Sequence, residues 1–325
     1  MDTFSDLFTD SPLASDRRIL AGVTPLQRYI AEEIATDHVD GLLSRREALR
    51  RLALLGVGTA AASTLIAACA SDKPTTTSSS PSSSPATSAS TPPPGMASAV
   101  PTTAITWPGP TAQLQGSWAQ AATPRGAVLV IHENKGLNDW VSSVAGRLAG
   151  IGYSALAIDL LSEEGGTSTF TDPAAATAAL GTIAPDRFIA DLRSGLGEVA
   201  RRAPGQKLAV VGFCFGGGLV WRLLAAGEPR LAAAVPFYGP LPDNPNFAGS
   251  KNAAVLGVYG ALDQRVTSSE PAAKAALDQA GLVNELVIEP GADHAFFNDS
   301  GPRYNPTAAA DAWTRLQELF SRHLG

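Results

Sequence analysis

From about residue 104 to the end of the chain, short apolar runs alternate with stretches whose apolar residues recur every three or four positions. The runs at 127–131, 154–158, 208–213, 232–237, 254–259 and 285–288 have the length and continuity of strands buried on both faces. Two more strands, with polar positions interleaved, are expected near 105–107 and 113–118. Helices are expected over 141–149, 188–202, 215–226, 271–280 and 307–323. In the last of these, Trp313, Leu316 and Phe320 fall at i, i+3 and i+7, which lays one apolar stripe along the helix. Alternating strands and helices build a mostly parallel sheet with helices on both faces. One α/β domain over 104–325, without a separate lid, is therefore expected. In such sheets the working residues gather beyond the carboxyl ends of the strands.

Gly212-Phe213-Cys214-Phe215-Gly216-Gly217 lies where the 208–213 strand meets the 215–226 helix. A strand, a tight turn bounded by glycines and then a helix is the setting in which α/β-hydrolases hold their nucleophile, here with Cys in place of Ser. The turn is strained, and a side chain at Gly212 or Gly216 would strike the adjoining strand or helix backbone. The helix start behind Cys214 favours a thiolate, because its unpaired amides and dipole stabilise negative charge. A merely buried cysteine at a strand end would leave the glycines on both sides unexplained.

Two later strand ends complete a constellation. Asp263 follows the 254–259 strand in Tyr259-Gly260-Ala261-Leu262-Asp263, and His294 follows the 285–288 strand in Gly291-Ala292-Asp293-His294. Nucleophile, acid, then histidine is the hydrolase chain order. His294 would take the proton of Cys214 and later activate water, while Asp263 fixes its tautomer. Asp293 is the rival acid, but a sequence neighbour seldom reaches the far ring nitrogen. An oxyanion hole is expected from the backbone N–H of Phe215 and, in the turn after the 127–131 strand, that of Asn134.

Together with Glu133 in His132-Glu133-Asn134-Lys135-Gly136-Leu137, the elbow, Gly260-x-x-Asp263 and Asp293-His294-x-Phe296 resemble the dienelactone hydrolase family over essentially 104–325. The resemblance implies the α/β-hydrolase fold, ester or lactone hydrolysis, and a role for Glu133 as an accessory acid/base for Cys214. It also implies two arginines for the substrate carboxylate of the lactone hydrolases, one of them four residues after the histidine. Here that position is Asn298, which speaks against an anionic dienelactone. Arg303 is the candidate stand-in, Arg187 and Arg193 precede the elbow, and Trp140, Tyr238 and Phe296 are candidate pocket residues.

The first hundred residues read as an address. Ser44-Arg45-Arg46-Glu47-Ala48-Leu49 resembles a twin-arginine signal, and an uncharged stretch follows from Leu52 to Ala68. Ile66-Ala67-Ala68-Cys69 resembles a bacterial lipobox, which makes Cys69 the expected lipidation site. An uncleaved anchor is disfavoured, since the stretch falls short of the ~20 residues a span needs, and a buried helix is disfavoured because nothing downstream looks built to cover it. Before the signal, Tyr29, Ile30, Ile34 and Val39 predict an amphipathic helix. A Ser/Thr/Pro-rich tether is expected over 70–103, too poor in apolar residues to order itself. The expected organisation is thus an extension and export signal over 1–69, the tether, and the catalytic domain. The product would be an extracytoplasmic bacterial lipoprotein attached to the membrane at Cys69.

Composition narrows the remaining classes. The chain of 325 residues has a net charge of -6, which gives nucleic-acid binding no support. Cys69 and Cys214 are the only cysteines and each belongs to its own pattern, so a disulfide between them is not expected. No CxxC, HExxH or P-loop is present, and neither metal nor cofactor is expected. The best reading is a cysteine hydrolase of a small ester or lactone. A non-catalytic small-molecule-binding lipoprotein of the same fold has no reason to keep Cys214, Asp263 and His294 together. A thiol-redox role lacks a resolving cysteine.

Overall fold

The computed structural model describes residues 24–71 and 92–325. These fall into two compact units, one comprising 24–71 with Thr177–Thr182, the other 92–176 with 183–325.

In the smaller unit the chain makes three helices, α1 (Pro25–Val39), α2 (Arg45–Leu54) and α3 (Thr59–Ser71). Thr24 and Gln27 cap α1 reciprocally, and Pro25 opens it, where a missing N–H costs nothing. Tyr29, Ile30 and Ile34 are buried as the periodicity predicts, while Val39 at the helix end is half-buried. Ser44 caps α2, so Arg45 and Arg46 occupy its first turn. Helix α3 carries Cys69 and packs against α1 and α2, burying Ala62, Leu65 and Ile66. Among the described residues no helix is long and apolar enough to cross a membrane.

Of the tether expected over 70–103, residues 72–91 lie outside the described residues. Local structure is already present before 104: Met96–Ser98 forms a 3-10 turn, and Val100 N donates to Gly146 O at 3.1 Å.

The larger unit follows the strand and helix pattern closely. Its strands are β1 (Thr103–Pro108), β2 (Gln113–Ala119), β3 (Gly126–Ile131), β4 (Tyr153–Asp159), β5 (Leu208–Phe213), β6 (Leu231–Phe237), β7 (Ala254–Gly260) and β8 (Asn284–Glu289). Its helices are α4 (Asp139–Gly150), α5 (Pro173–Thr182, shared with the smaller unit), α6 (Pro185–Arg202), α7 (Phe215–Ala225), α8 (Gln264–Thr267), α9 (Glu270–Gln279) and α10 (Pro306–His323). Helix α5 was not expected, because Pro-Ala-Ala-Ala-Thr-Ala-Ala-Leu-Gly-Thr carries almost no apolar–polar contrast.

The eight strands form one sheet in the order β1-β2-β4-β3-β5-β6-β7-β8. β1 and β2 pair antiparallel with each other, and β2 pairs antiparallel with β4. From β4 to β8 every pairing is parallel, and the central strands β3, β4, β5 and β7 are buried along their whole length. Helix α4 covers β2, β3 and β4, α10 covers β6 and β7, and α6 and α7 pack on each other and on the middle of the sheet. This is the α/β-hydrolase fold. The chain steps from β3 outward to β4, then crosses back to β5 on the other side of β3. That reversal puts the topological switch between β3 and β5, where a crevice opens beyond the strand ends. Glu133 leaves one of those ends and Cys214 the other.

Candidate active site

Cys214 occupies a turn that few residues tolerate, with φ 55° and ψ −117°. Its N–H donates to Phe237 O at 3.0 Å, which ties the turn to the end of β6. The flanking glycines are steric requirements. A Cβ on Gly212 would lie 2.2 Å from the carbonyl oxygen of Gly216 in α7. One on Gly216 would lie 2.5 and 2.6 Å from the carbonyl oxygens of Ile131 and His132 at the end of β3. The strand and helix therefore close around Cys214 only with glycine at both places. Phe215 N–H is the first amide of α7, one that the helix itself leaves without an acceptor.

Asp263 and His294 come together as their loops lean on each other. Ala261 N donates to Glu289 O at 3.0 Å and Leu262 N to Ala292 O at 2.9 Å. Both side chains are buried, and His294 Nδ1 lies 2.6 Å from Asp263 Oδ2. With Nδ1 donating to the carboxylate, Nε2 is the nitrogen left to act as a base. A ring nitrogen of His294 and Cys214 Sγ lie within 4.8 Å of each other. Burial alone would push His294 down, but the Asp263 carboxylate and Cys214 beside it hold it well above its ordinary 6.5. Burial would likewise raise Asp263, and the opposing charge of His294 holds it below 3.8.

Asp293, the rival acid, is engaged elsewhere. Its Oδ1 accepts the backbone N–H of His294 at 2.7 Å, and its Oδ2 lies 3.5 Å from Arg303 Nε. Arg303 is thereby paired with this carboxylate. Arg187 makes two short bonds to Glu164 (2.7 and 2.8 Å), and Arg193 donates to the carbonyl oxygens of Ala226 and Gly227.

Glu133 and Asn134 lie in the turn beyond β3, and both are buried. Ile131 stands opposite Gly212 in the parallel register, so two residues later Glu133 and Cys214 leave adjacent strand ends at the same level. His132 fastens this turn. Fully buried, its Nδ1 donates to Glu133 O at 2.6 Å, and its Nε2 accepts Leu160 N–H at 3.2 Å. Those two bonds define a neutral ring, and burial pushes its proton affinity down in the same direction.

The candidate pocket residues divide. Tyr238 follows β6 with φ 34°, and its ring centroid is 5.2 Å from that of His294. Phe296 is fully buried against Tyr238, at 5.5 Å. Trp140 packs edge-on against Phe213 at 5.0 Å and donates Nε1–H to Asp299 at 2.7 Å. Phe213, just before the cysteine, stacks on Phe297 of the histidine loop at 5.5 Å, and Phe297 stacks on Trp313 of α10. This aromatic column links the end of β5 to the histidine loop and α10.

Two features had no sequence signal strong enough to find them. Asn298 donates Nδ2–H to Glu133 Oε2 at 2.8 Å. Arg147 of α4 forms a buried ion pair with Asp299, at 2.9 and 3.0 Å to its two oxygens. Backbone strain also marks the site. Of the four non-glycine residues with positive φ among the described residues, three are Cys214, Tyr238 and Ala295, the residue after His294. Such strain persists only where surroundings enforce it, and it concentrates at working sites.

Comparison with known proteins agrees with this geometry. Residues 114–324 match the dienelactone hydrolase family. A carboxymethylenebutenolidase-like protein of Escherichia coli O157:H7 is 35% identical over 219 residues, covering 63% of this chain and 80% of its own. Another, from Methylorubrum extorquens, is 34% identical over 213 residues, covering 62% and 73%. Among solved structures, a dienelactone hydrolase-type protein of Klebsiella pneumoniae superposes with a TM-score of 0.60 at 29% identity, covering 68% of this chain and 99% of its own. A dienelactone hydrolase-like promiscuous phosphotriesterase from metagenomic libraries gives 0.59 at 27% identity, covering 70% and 100%. Fold, strand-end constellation and sequence thus converge, and the chain belongs to the dienelactone hydrolase family.

Proposed function

We propose that this chain is a hydrolase of carboxylic esters or lactones that works through a thioester on Cys214. The observation that carries the reading is the placement of a strained, glycine-enclosed cysteine within 4.8 Å of a histidine whose other nitrogen is held by a buried aspartate. In acylation, His294 Nε2 takes the thiol proton and Sγ attacks the ester carbonyl carbon. The oxyanion accepts from Phe215 N–H and Asn134 N–H. Collapse breaks the C–O bond, and the leaving alkoxide takes the proton from His294. In deacylation, His294 deprotonates water, hydroxide attacks the thioester carbonyl, and the acid departs as Cys214 leaves as thiolate. Asp263 keeps the ring in the tautomer both halves need and stabilises the imidazolium between them. Glu133 serves as an accessory acid/base for the resting thiol.

Asn298 in place of a cation points to an uncharged acyl group rather than an anionic dienelactone. We further propose export through the signal at Ser44–Leu49 and lipidation at Cys69, on the strength of the sequence pattern. Such an address suits the breakdown of esters met outside the cytoplasm.

The deciding experiment is hydrolysis of p-nitrophenyl acetate and a small lactone panel by the full chain beside Cys214→Ala. The variant is expected to lose at least about 10³-fold in kcat, as removal of a nucleophile does. Wild-type turnover from the alanine variant would refute the mechanism.

A further inference from the structure

Asn298 is 8% exposed and held at both ends of its amide. Its Oδ1 accepts the backbone N–H of Ser300 at 3.0 Å and the Ser300 hydroxyl at 2.6 Å. Two donors on one atom identify that atom as the oxygen, so the NH2 end faces Glu133. One residue on, Asp299 is bonded to Arg147 and to Trp140 Nε1. One residue before, Phe297 is stacked on Phe213. The loop cannot carry Asn298 away from Glu133 without breaking these contacts. On the other side, the backbone of Glu133 is fixed by the locked ring of His132. A rigid donor therefore meets a carboxylate on a rigid backbone at 2.8 Å, beside the strand end that presents Cys214. The proposed mechanism gives Asn298 no contact with the reacting atoms.

We propose that Asn298 is a positioning residue that sets the side-chain rotamer of Glu133, and through it the readiness of Cys214. The proposal rests on the cysteine-hydrolase reading of the same site. An amide suits the task because it donates at every working pH. It also brings no formal counter-charge of its own to the carboxylate.

The test is a double-mutant cycle on the full chain with p-nitrophenyl acetate, comprising Asn298→Ala, Glu133→Gln, their combination and Cys214→Ala. Loss of the donor is expected to lower kcat about tenfold with KM within about twofold, the scale of a small misplacement of a working group. In the Glu133→Gln background the same substitution should add less than about twofold, because the group it acts through has been changed. The rate of Cys214 alkylation by iodoacetamide should fall with kcat in the single variant. An unchanged kcat, or an equal loss in both backgrounds, would overturn the proposal, since a merely structural role gives additive losses. If Asn298→Ala does not fold, Ser300→Ala carries the same cycle. It removes one of the two bonds that hold the amide, and about a threefold Glu133-dependent loss is expected. No loss there overturns the proposal as well. Failure of this inference is distinguishable from failure of the hydrolase reading. An inactive Cys214→Ala with an additive cycle sinks only the former, whereas an active Cys214→Ala sinks both.

Discussion

Replacing Asp299 by Ala strands a guanidinium in the protein interior. The Arg147 side chain is 1% exposed and that of Asp299 12%. Arg147 Nη2 donates to both oxygens of Asp299 and to Ser143 Oγ at 3.0 Å, while its Nε and Nη1 find no acceptor among the described residues. The carboxylate is thus the one anion in contact with a charge that has little else. Removing one partner of a buried pair costs about 3–5 kcal/mol, mostly the penalty of an uncompensated charge. The slight exposure of Asp299 lets water approach the gap, so the lower end, about 3 kcal/mol, is expected. For a unit of this size that lowers Tm by roughly 6–12 °C. Urea unfolding followed by far-UV circular dichroism measures the loss without depending on Trp140, which shares the cluster. In Asp299→Ala/Arg147→Met no charge is stranded, so the double variant should recover part of the loss. A single variant that loses under about 1 kcal/mol, or a double variant less stable than the single, would refute the reasoning and assign the cluster to packing alone.

Two further outcomes follow from the site and the address. The His294–Asp263 pair makes stability depend on pH with a definite sign. A raised histidine stabilises in full below its unfolded value of 6.5 and loses that contribution as pH rises through its folded value. A lowered aspartate stabilises above 3.8 and loses its contribution as pH falls. The stability deficit of Asp263→Asn should therefore be largest between about pH 4 and 6.5 and shrink as pH rises through the raised value of His294, measured by urea unfolding. A deficit that grows with pH contradicts the pairing. Cys69→Ala, expressed in a bacterial host with a lipoprotein pathway, should move the protein from the membrane fraction to the soluble one. Wild-type protein already in the soluble fraction counts against lipidation.

Much of this protein was written locally. Continuous apolar runs such as 127–131 and 208–213 are too short for helices and fit buried strands, so the sheet and most of its helices follow from length and periodicity. The elbow was legible because strain and close approach demand glycine at particular positions, and Gly212 and Gly216 stand at those positions. Asp263 and His294 were legible from their order and their places after strands. Where local contrast fails, so does the reading: α5 is nearly all small residues, and the ordered 92–102 segment has the composition of the tract before it.

What only the tertiary structure decided are contacts between residues far apart in the chain, whose energy depends on distances that composition does not encode. Asn298 appeared in the sequence as the absence of a cation, and the fold shows it as a donor to a residue 165 positions away. Arg147 and Asp299 look like ordinary surface charges until α4 and the histidine loop bury them together, 152 positions apart. In each case a short polar side chain finds its partner only after the sheet has set the loops in place. The candidate residues of the site could be picked out along the chain, but the contacts that surround them had to be folded.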